Sequence, residues 1–212
     1  MEEKLRQEIV RVTRITAERG LLSSSDGNLS ARLDAERVLI TPSGVYKATL
    51  EARDLIVIDM QGDVLEARAG LRPTSETRMH LEVYHQRPDV DAVLHAHPLY
   101  ATALTIAAIP FPLDVIPEAL LGLGEVPTAP YATPGTLDLA LSIRDLIQSH
   151  NNVLLSHHGS LTVGKTLEEA LIALERLEHT ARAFFIAQTL GAVVRLPQEE
   201  LTRLRAMSPA LK

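Results

Sequence analysis

Apolar residues at the start of the chain recur at the spacing of one helix face. Between residues 2 and 19 they occupy every third or fourth position, at Leu5, Ile9, Val12 and Ile15, and Gly20 follows. This period places the apolar side chains on one side of an α-helix, and a glycine directly afterwards is a common stop signal. The pattern predicts an amphipathic helix over residues 2–19.

Short β-type runs follow this helix. Residues 23–28 are rich in Ser, Asp, Gly and Asn and predict a loop. Runs rich in apolar and β-branched residues then occupy 37–41, 54–59 and 63–66, with Pro- and Gly-containing turn signals between them. Their succession predicts an antiparallel meander.

Helical and strand patterns alternate in the rest of the chain. Helices are predicted at 74–86, 98–108, 136–149, 166–190 and from Pro197 onward, and strands at 90–95 and 153–156, the latter continuing at 160–163. Strands clustered early and helices interleaved later, without a regular βαβ repeat, predict a largely antiparallel sheet covered by helices. A length of 212 residues with 46% hydrophobic content suits one domain over residues 1–212.

The composition excludes several classes of partner. Charged residues make up 23% of the chain and the net charge is −6, which gives no general electrostatic attraction to nucleic acid or anionic lipid. A phosphorylated ligand would therefore need local donors. The N-terminal residues lack a basic segment followed by an apolar run, and no apolar stretch reaches the roughly 20 residues that span a bilayer. We expect a cytoplasmic protein that binds neither nucleic acid nor membrane.

The absence of cysteine narrows the chemistry further. No disulfide, cysteine-ligated zinc or thiolate nucleophile can form, so a metal would need histidine and carboxylate ligands.

His95 and His97 alternate on a predicted strand and leave the same face of the sheet, so they can chelate one ion. His157 or His158, at the end of a second strand, can supply the third nitrogen of a catalytic zinc site. Histidines in such positions are also common as buried residues with satisfied hydrogen bonds.

Glu76 is a further candidate residue for this metal site. It lies near the start of the helix that follows Pro73, where an acidic residue also interacts favourably with the helix dipole. Beside a metal, its carboxylate can be a ligand or a general base that removes a proton next to a carbonyl.

Three segments have the composition of phosphate-binding loops. They are Asp26-Gly27-Asn28-Leu29-Ser30, Thr41-Pro42-Ser43-Gly44 and Pro73-Thr74-Ser75-Glu76. Glycine lets the backbone approach an anion, and neutral hydroxyl, amide and N–H groups complete the shell. Each segment alone is also typical of a turn or a helix cap.

The sequence has no Walker loop, GxGxxG fingerprint or GxSxG elbow, which argues against nucleotide, dinucleotide and serine-hydrolase functions.

Taken in order, these segments resemble the class II aldolase/adducin family. The resemblance rests on Gly27 to Ser30, Thr41 to Gly44, Pro73 to Glu76, His95-Ala96-His97-Pro98 and His157-His158-Gly159. It is closest to the L-fuculose-phosphate aldolase type and extends over nearly the whole chain. The resemblance implies a three-layer α/β/α sandwich with a central, mainly antiparallel sheet, and a homotetramer with active sites at subunit contacts.

The resemblance also implies a role for each motif residue. His95, His97 and His158 match the ligands of one zinc ion per chain, His158 because the family's ligand directly precedes a glycine. Glu76 matches the acid/base residue, which also touches the metal when substrate is absent. The matched phosphate-binding positions are Gly27, Asn28, Ser43, Gly44, Thr74 and Ser75. The implied reaction splits a ketose 1-phosphate into dihydroxyacetone phosphate and a small aldehyde through a metal-stabilised enediolate.

Two departures leave the aldehyde partner open. Aldolases of this type carry a tyrosine shortly after the equivalent of Ile109-Pro110 and another near the C-terminus, whereas this chain has Phe111 in the first region and no tyrosine after Tyr131. Asp114 or Glu118 can replace the missing function or lie on a solvated loop. A pentulose-phosphate 4-epimerase, a methylthioribulose-phosphate dehydratase and a noncatalytic adducin-like interaction domain are the alternatives.

Overall fold

A twisted eight-stranded sheet organises the fold. The computed structural model describes residues 2–207. The strand order is β4-β3-β2-β1-β5-β8-β7-β6, and every neighbouring pair is antiparallel except β6 and β7. The strands are β1 Asn28–Arg32, β2 Arg37–Ile40, β3 Ile56–Asp59, β4 Val64–Glu66, β5 Ala92–Ala96, β6 Thr128–Ala129, β7 Asn152–Leu155 and β8 Gly159–Gly164.

Seven α-helices are described within residues 2–207. They are α1 Glu2–Glu18, α2 Thr77–Gln86, α3 Leu99–Ile106, α4 Pro117–Leu123, α5 Leu137–Ile147, α6 Leu167–Leu190 and α7 Gln198–Met207, and two 3₁₀ turns lie at Lys47–Thr49 and Ala52–Asp54. The helix α6 is the longest of these, Thr166 caps its first turn, and apolar residues are buried along most of its length.

The helices cover both faces of the sheet. Side chains that point to one face, such as Leu29 and Leu94, pack with α1 and α6. Their neighbours on the opposite face, such as Val93 and Ile58, pack with α2 and α5. Because successive strand residues alternate between faces, both apolar sets are buried and the strands read as nearly continuous hydrophobic runs. The expected three-layer α/β/α sandwich with a mainly antiparallel sheet is confirmed.

A third apolar cluster extends the layer formed by α6. It joins α3 and α4 to the second half of α6, with Phe111, Leu154 and Phe184 among its buried members. This packing fixes the start of α3, because the carboxylate of Glu178 on α6 accepts the backbone N–H groups of Tyr100 and Ala101.

Some local predictions were wrong. Residues 153–156 and 160–163 do not form one continuing strand. They belong to β7 and β8, an antiparallel hairpin in which Leu155 pairs with Gly159 and His157 adopts a positive φ of 55°. The strand β1, the helix α4 and the short strand β6 were not predicted. The β1 sequence alternates polar and apolar residues in a short run, and its polar side chains are buried in hydrogen bonds that periodicity does not reveal.

The start of α2 was also misplaced. A helix was predicted from residue 74, but α2 begins at Thr77 with Glu76 preceding it. Residues 74–77 instead form a turn in which the Thr77 N–H donates to the Thr74 carbonyl.

The limits of the described chain bear on two other predictions. Residue 1 and residues 208–212 lie outside the described part, so one domain over residues 1–212 stays a prediction. None of the helices within residues 2–207 combines the length and apolar content that a bilayer span requires.

Candidate metal and substrate site

The sheet brings the predicted motifs together at one end of β5. Asn28 pairs with His95 in register, and Ala96 pairs with Ser160 near the start of β8. A side chain at Gly27 would overlap Leu22 and approach within 2.9 Å of the His95 carbonyl oxygen. One at Gly159 would overlap the Ala96 carbonyl oxygen. Both glycines therefore allow neighbouring segments to approach the end of β5 closely.

Three imidazoles converge at this end. The Nε2 atoms of His95 and His97 lie 3.0 Å apart, and the ring centroid of His158 lies 4.7 Å and 5.0 Å from theirs. One nitrogen of each ring falls within 4.8 Å of the others. His157 is not part of the cluster, since its exposed ring lies against Tyr131 instead.

The Glu76 carboxylate faces the same cluster. Its Oε2 atom lies 3.1 Å from Nε2 of His95, and its Oε1 atom lies 3.3 Å from Nε2 of His158. Burial alone would raise the pKa of this carboxyl group, but positive charge at His95 and hydrogen bonds from His95 and Asn28 outweigh it and hold the pKa well below its usual range. Glu76 is therefore ionised at neutral pH.

The protonation of the histidines makes this cluster suited to a cation. The Nδ1 atom of His95 lies 2.9 Å from the Ser160 carbonyl oxygen, which can only accept, so Nδ1 carries a proton and Nε2 is the ring nitrogen that faces Glu76 and could bind an ion. Burial, with the neighbouring imidazoles, lowers the pKa of His97 to about 3 and that of His158 to about 4, so both rings are neutral at pH 7. Two neutral imidazoles, Nε2 of His95 and an ionised carboxylate thus face one another, and an ion would take the place of any proton between them.

A divalent cation fits this donor set. The separations of 3.0 to 3.3 Å between neighbouring donors resemble the edges of about 3.3 Å that a tetrahedron with zinc–nitrogen bonds of about 2.0–2.1 Å would have. Glu76 Oε1 is buried without a hydrogen-bond partner among the described residues, as expected for an atom that faces an ion. His95, His97, His158 and Glu76 are the residues that can hold the ion.

A buried chain of hydrogen bonds orients Glu76 from behind. Asn28 Nδ2 donates to Glu76 Oε2 at 2.8 Å, so the side-chain oxygen Oδ1 of Asn28 accepts from Nε2 of His80 at 2.5 Å. The other ring nitrogen of His80 then accepts from the Ser30 hydroxyl at 2.7 Å, which lies 2.8 Å from the Tyr84 hydroxyl. Burial lowers the pKa of His80 to about 3, so its ring stays neutral.

Sequence reasoning missed His80 and Tyr84, and it placed Ser30 in a candidate phosphate loop, whereas Ser30 lies buried in β1 and contacts these two residues. The spacing of Glu76, His80 and Tyr84 at four-residue intervals was the available signal, because it places the two residues of α2 on one helix face and Glu76, directly before the helix, on the same side.

The predicted phosphate loops line one cleft of about 400 Å³ together with His97, His158 and Glu76 of the metal site. The loops meet because Pro42 and Pro73 form a β-bridge and the Thr74 N–H donates to the Thr41 carbonyl. Lining residues named from the sequence are Gly27, Asn28, Ser43, Gly44, Thr74, Ser75, Glu76, His97 and His158. A larger cleft of about 650 Å³ between α1 and the 3₁₀ turns includes none of them. Lys47 also lines the smaller cleft and was missed, since the sequence suggested neutral donors alone.

Comparison with known proteins agrees with this geometry. Residues 7–185 match the Class II Aldolase and Adducin N-terminal domain family. The chain belongs to this class II aldolase family. It is 32% identical over 200 residues to the 5-methylthioribulose-1-phosphate/5-deoxyribulose-1-phosphate aldolase of Rhodospirillum rubrum, covering 94% of this chain and 89% of the relative. It is 33% identical over 189 residues to a 3-oxo-tetronate 4-phosphate decarboxylase of Pectobacterium atrosepticum, covering 87% and 85%.

Solved structures of the family share the fold. An L-fuculose 1-phosphate aldolase superposes with a TM-score of 0.86 at 32% identity, covering 96% of this chain and 95% of the other. The resemblance inferred from the motifs is thus confirmed, and the chain is an enzyme of the class II aldolase family. Class II aldolases depend on a metal ion, and the three-histidine cluster is this member's candidate site.

The two acids considered as substitutes for the missing tyrosines do not line this class II aldolase's cleft. Asp114 is paired with Arg195 at 2.5 Å, and Glu118 lies on α4 in a separate surface cleft. Within the described chain, neither is placed to act on a substrate held at Glu76.

Proposed function

We propose that this enzyme reversibly cleaves a ketose 1-phosphate, of the L-fuculose 1-phosphate kind, into dihydroxyacetone phosphate and a small aldehyde. The observation that carries the proposal is the joining of two features in one cleft. The cleft is lined by His97, His158 and Glu76 of the histidine cluster and by residues of the three glycine- and hydroxyl-containing loops. Such a cleft can bind the phosphate at a distance from the bond that breaks.

We propose one zinc ion per chain, held by His95, His97 and His158, with Glu76 as a further ligand when substrate is absent. Neutral imidazole donors suit zinc, although related first-row metals accept them as well. When bound, the ion supplies a Lewis acid that polarises the substrate carbonyl and stabilises the negative charge that develops beside it.

Glu76 is proposed as the acid/base group. Its ionised carboxylate can accept a proton from the carbon next to the carbonyl during condensation and return it after cleavage. Asn28 holds one carboxylate oxygen in place, and the buried chain through His80 and Ser30 holds Asn28. The carboxylate is therefore oriented before the substrate arrives, which lowers the cost of the proton transfer.

The phosphate-binding role of the loops is proposed on their chemistry. Asn28, Ser43, Thr74 and Ser75 present amide and hydroxyl groups to the cleft, while Gly27 and Gly44 adopt positive φ values of 72° and 73° that leave backbone groups accessible.

Decarboxylation of a phosphorylated 3-oxo acid is the second candidate. The decarboxylase relative is 33% identical over 87% of this chain, and the tyrosines associated with the aldehyde part are missing here. Loss of CO₂ leaves the same kind of stabilised carbanion but needs no residue that handles an aldehyde oxygen. The epimerase and dehydratase alternatives share the metal chemistry and stay open.

A substrate panel tests the proposal. The purified enzyme is incubated with ketose 1-phosphates and with 3-oxo acid 4-phosphates, and triose phosphate, CO₂, isomers and dehydrated products are measured together. Release of dihydroxyacetone phosphate supports the aldolase. Release of CO₂ alone supports the decarboxylase, and turnover of neither class would contradict both.

Two broader expectations belong to this proposal. We propose a homotetramer with active sites at subunit contacts, and a cytoplasmic location. Light scattering on the eluting protein checks the first, since a monomer of 23.2 kDa would contradict it.

A further inference from the structure

Lys47 lies under the proposed phosphate site with its charge buried. It is only 2% exposed and follows the loop Thr41-Pro42-Ser43-Gly44 in the chain. Its Nζ atom donates to the carbonyl oxygens of Ser25 at 2.9 Å, Val45 at 3.2 Å and Pro42 at 3.4 Å. The ammonium group thus joins the first two loops of the cleft and directs all three donors to backbone oxygens.

No carboxylate pairs with this ammonium group among residues 2–207 at ion-pair distance. Asp26, an exposed residue of the same cleft, is the acid that interacts with it electrostatically. Burial is the main influence on the pKa of Lys47 and lowers it, because the charged form loses water that the attraction to Asp26 only partly replaces. Buried charges normally occur with a counter-charge. Lys47 is therefore a buried cation that the described residues neutralise only in part.

The position of the charge indicates the missing partner. Two of the carbonyl groups that hold Lys47 belong to Ser25 and Pro42, which line the cleft, and the third belongs to Val45, which directly follows the second loop. An anion in the cleft would approach the ammonium group from the side that these loops cover. Since the chain has a net charge of −6, a local cation is needed for an anionic ligand to be favoured.

We propose that Lys47 is the buried counter-charge of the ligand's phosphate and makes the cleft selective for dianionic phosphate esters. Lys47 acts through the loops as a positioning residue and does not touch the reacting atoms. The inference rests on the proposed function for the location of the phosphate, but it concerns binding rather than turnover.

Calorimetric titration with inorganic phosphate tests the inference, on protein as purified and after chelator treatment. Lys47→Gln keeps a polar chain of similar length and removes the charge. We expect its phosphate affinity to fall by on the order of tenfold or more, the loss that follows removal of one nearby unit charge from a partly buried site. Lys165→Gln is the matched control, because Lys165 is exposed beyond the far end of β8. Equal phosphate affinity in Lys47→Gln and the unmodified protein would overturn the inference.

A second measurement uses the unmodified protein, so its result does not depend on whether a variant folds. If phosphate binds the charged form of Lys47 more tightly than the neutral form, then bound phosphate must raise the pKa of Lys47 by the logarithm of that affinity ratio. NMR of side-chain ¹⁵N-lysine protein, with Lys4 and Lys165 as internal references, measures this shift. An unchanged Lys47 pKa at saturating phosphate would also overturn the inference. Phosphate binding that depends on Lys47, without turnover of any sugar phosphate, would instead contradict the proposed function alone.

Discussion

The Oε1 atom of Glu76 lies 3.3 Å from Nε2 of His158, although α2 and the β7–β8 hairpin are far apart in the chain. The other oxygen of the same carboxylate lies 3.1 Å from Nε2 of His95. Glu76 therefore spans two of the three imidazoles that can hold an ion. Substrate oxygens that take its place at the ion would release the carboxylate for proton transfer at the same position.

His97→Ala is expected to remove bound metal while leaving the fold intact. His97 follows the end of β5 and is partly exposed, so truncation opens little of the core. Elemental analysis of the purified variant measures occupancy, and circular dichroism checks the fold. His179→Ala, an exposed histidine on α6, is the control and should keep about one ion per chain, the occupancy proposed for a single three-histidine site. Full occupancy in His97→Ala would show that the ligand assignment is wrong.

Glu76→Gln is expected to retain metal and to slow proton exchange by about 10²–10⁴-fold, the usual contribution of a positioned acid/base group. The amide keeps the shape of the side chain but cannot accept the proton. NMR of dihydroxyacetone phosphate in D₂O measures the exchange, with the exposed Glu199→Gln on α7 as the control. An exchange rate equal to that of the unmodified enzyme would remove Glu76 from the chemistry.

Gly159→Ala is expected to destabilise the protein by about 1–3 kcal/mol and to lower metal occupancy. A methyl group at this position would overlap the Ala96 carbonyl oxygen and lie 2.8 Å from Cδ2 of His97. Gly20→Ala is the control for the general effect of replacing a glycine. Gly20 has a φ of 70°, which strains an alanine backbone, but no atom lies within contact distance of the new methyl group. Urea unfolding and elemental analysis measure both effects, and normal occupancy in Gly159→Ala would contradict the close packing of His97.

Ser30→Ala is expected to cost about 1–3 kcal/mol, since it leaves the buried ring nitrogen of His80 and the buried hydroxyl of Tyr84 without their partner. Because the chain of hydrogen bonds ends at Glu76, we also expect proton exchange to slow while metal occupancy stays near normal. Denaturation and exchange assays measure the two effects. A stable variant with normal exchange would mean that the chain does not orient Glu76.

Glu82 is expected to contribute stability that is lost in acid. The hydrogen bond from Arg144 at 2.6 Å, together with those from its second nitrogen and from Gln86, holds the pKa of Glu82 below its ordinary value. Its contribution is therefore present above about pH 4.5 and is lost as the pH falls through the lowered pKa. The stability difference between the unmodified protein and Glu82→Gln should shrink between about pH 6 and about pH 3. A difference independent of pH would contradict this ion pair between α2 and α5.

The sequence alone was sufficient for the helices with long apolar periods and for the motif residues. The helix from Thr166 was predicted because its caps and periodicity are local properties. The residues at 27–28, 43–44, 74–76, 95, 97 and 158 were singled out by spacing and composition and given roles by the resemblance, and the structure places all of them at one end of β5 or in the cleft beside it. Their roles as ligands and phosphate donors stay predictions.

Tertiary structure alone decided the remaining features. The direction of the chain after Leu155 depends on whether the next strand pairs beside β7 or extends it, and no local pattern distinguishes these outcomes. The same holds for Lys47 and His80, whose importance comes from burial and from partners distant in the chain. Periodicity and propensity report how one segment prefers to fold, whereas the free energy of a buried charge or hydrogen bond depends on what the rest of the fold places around it.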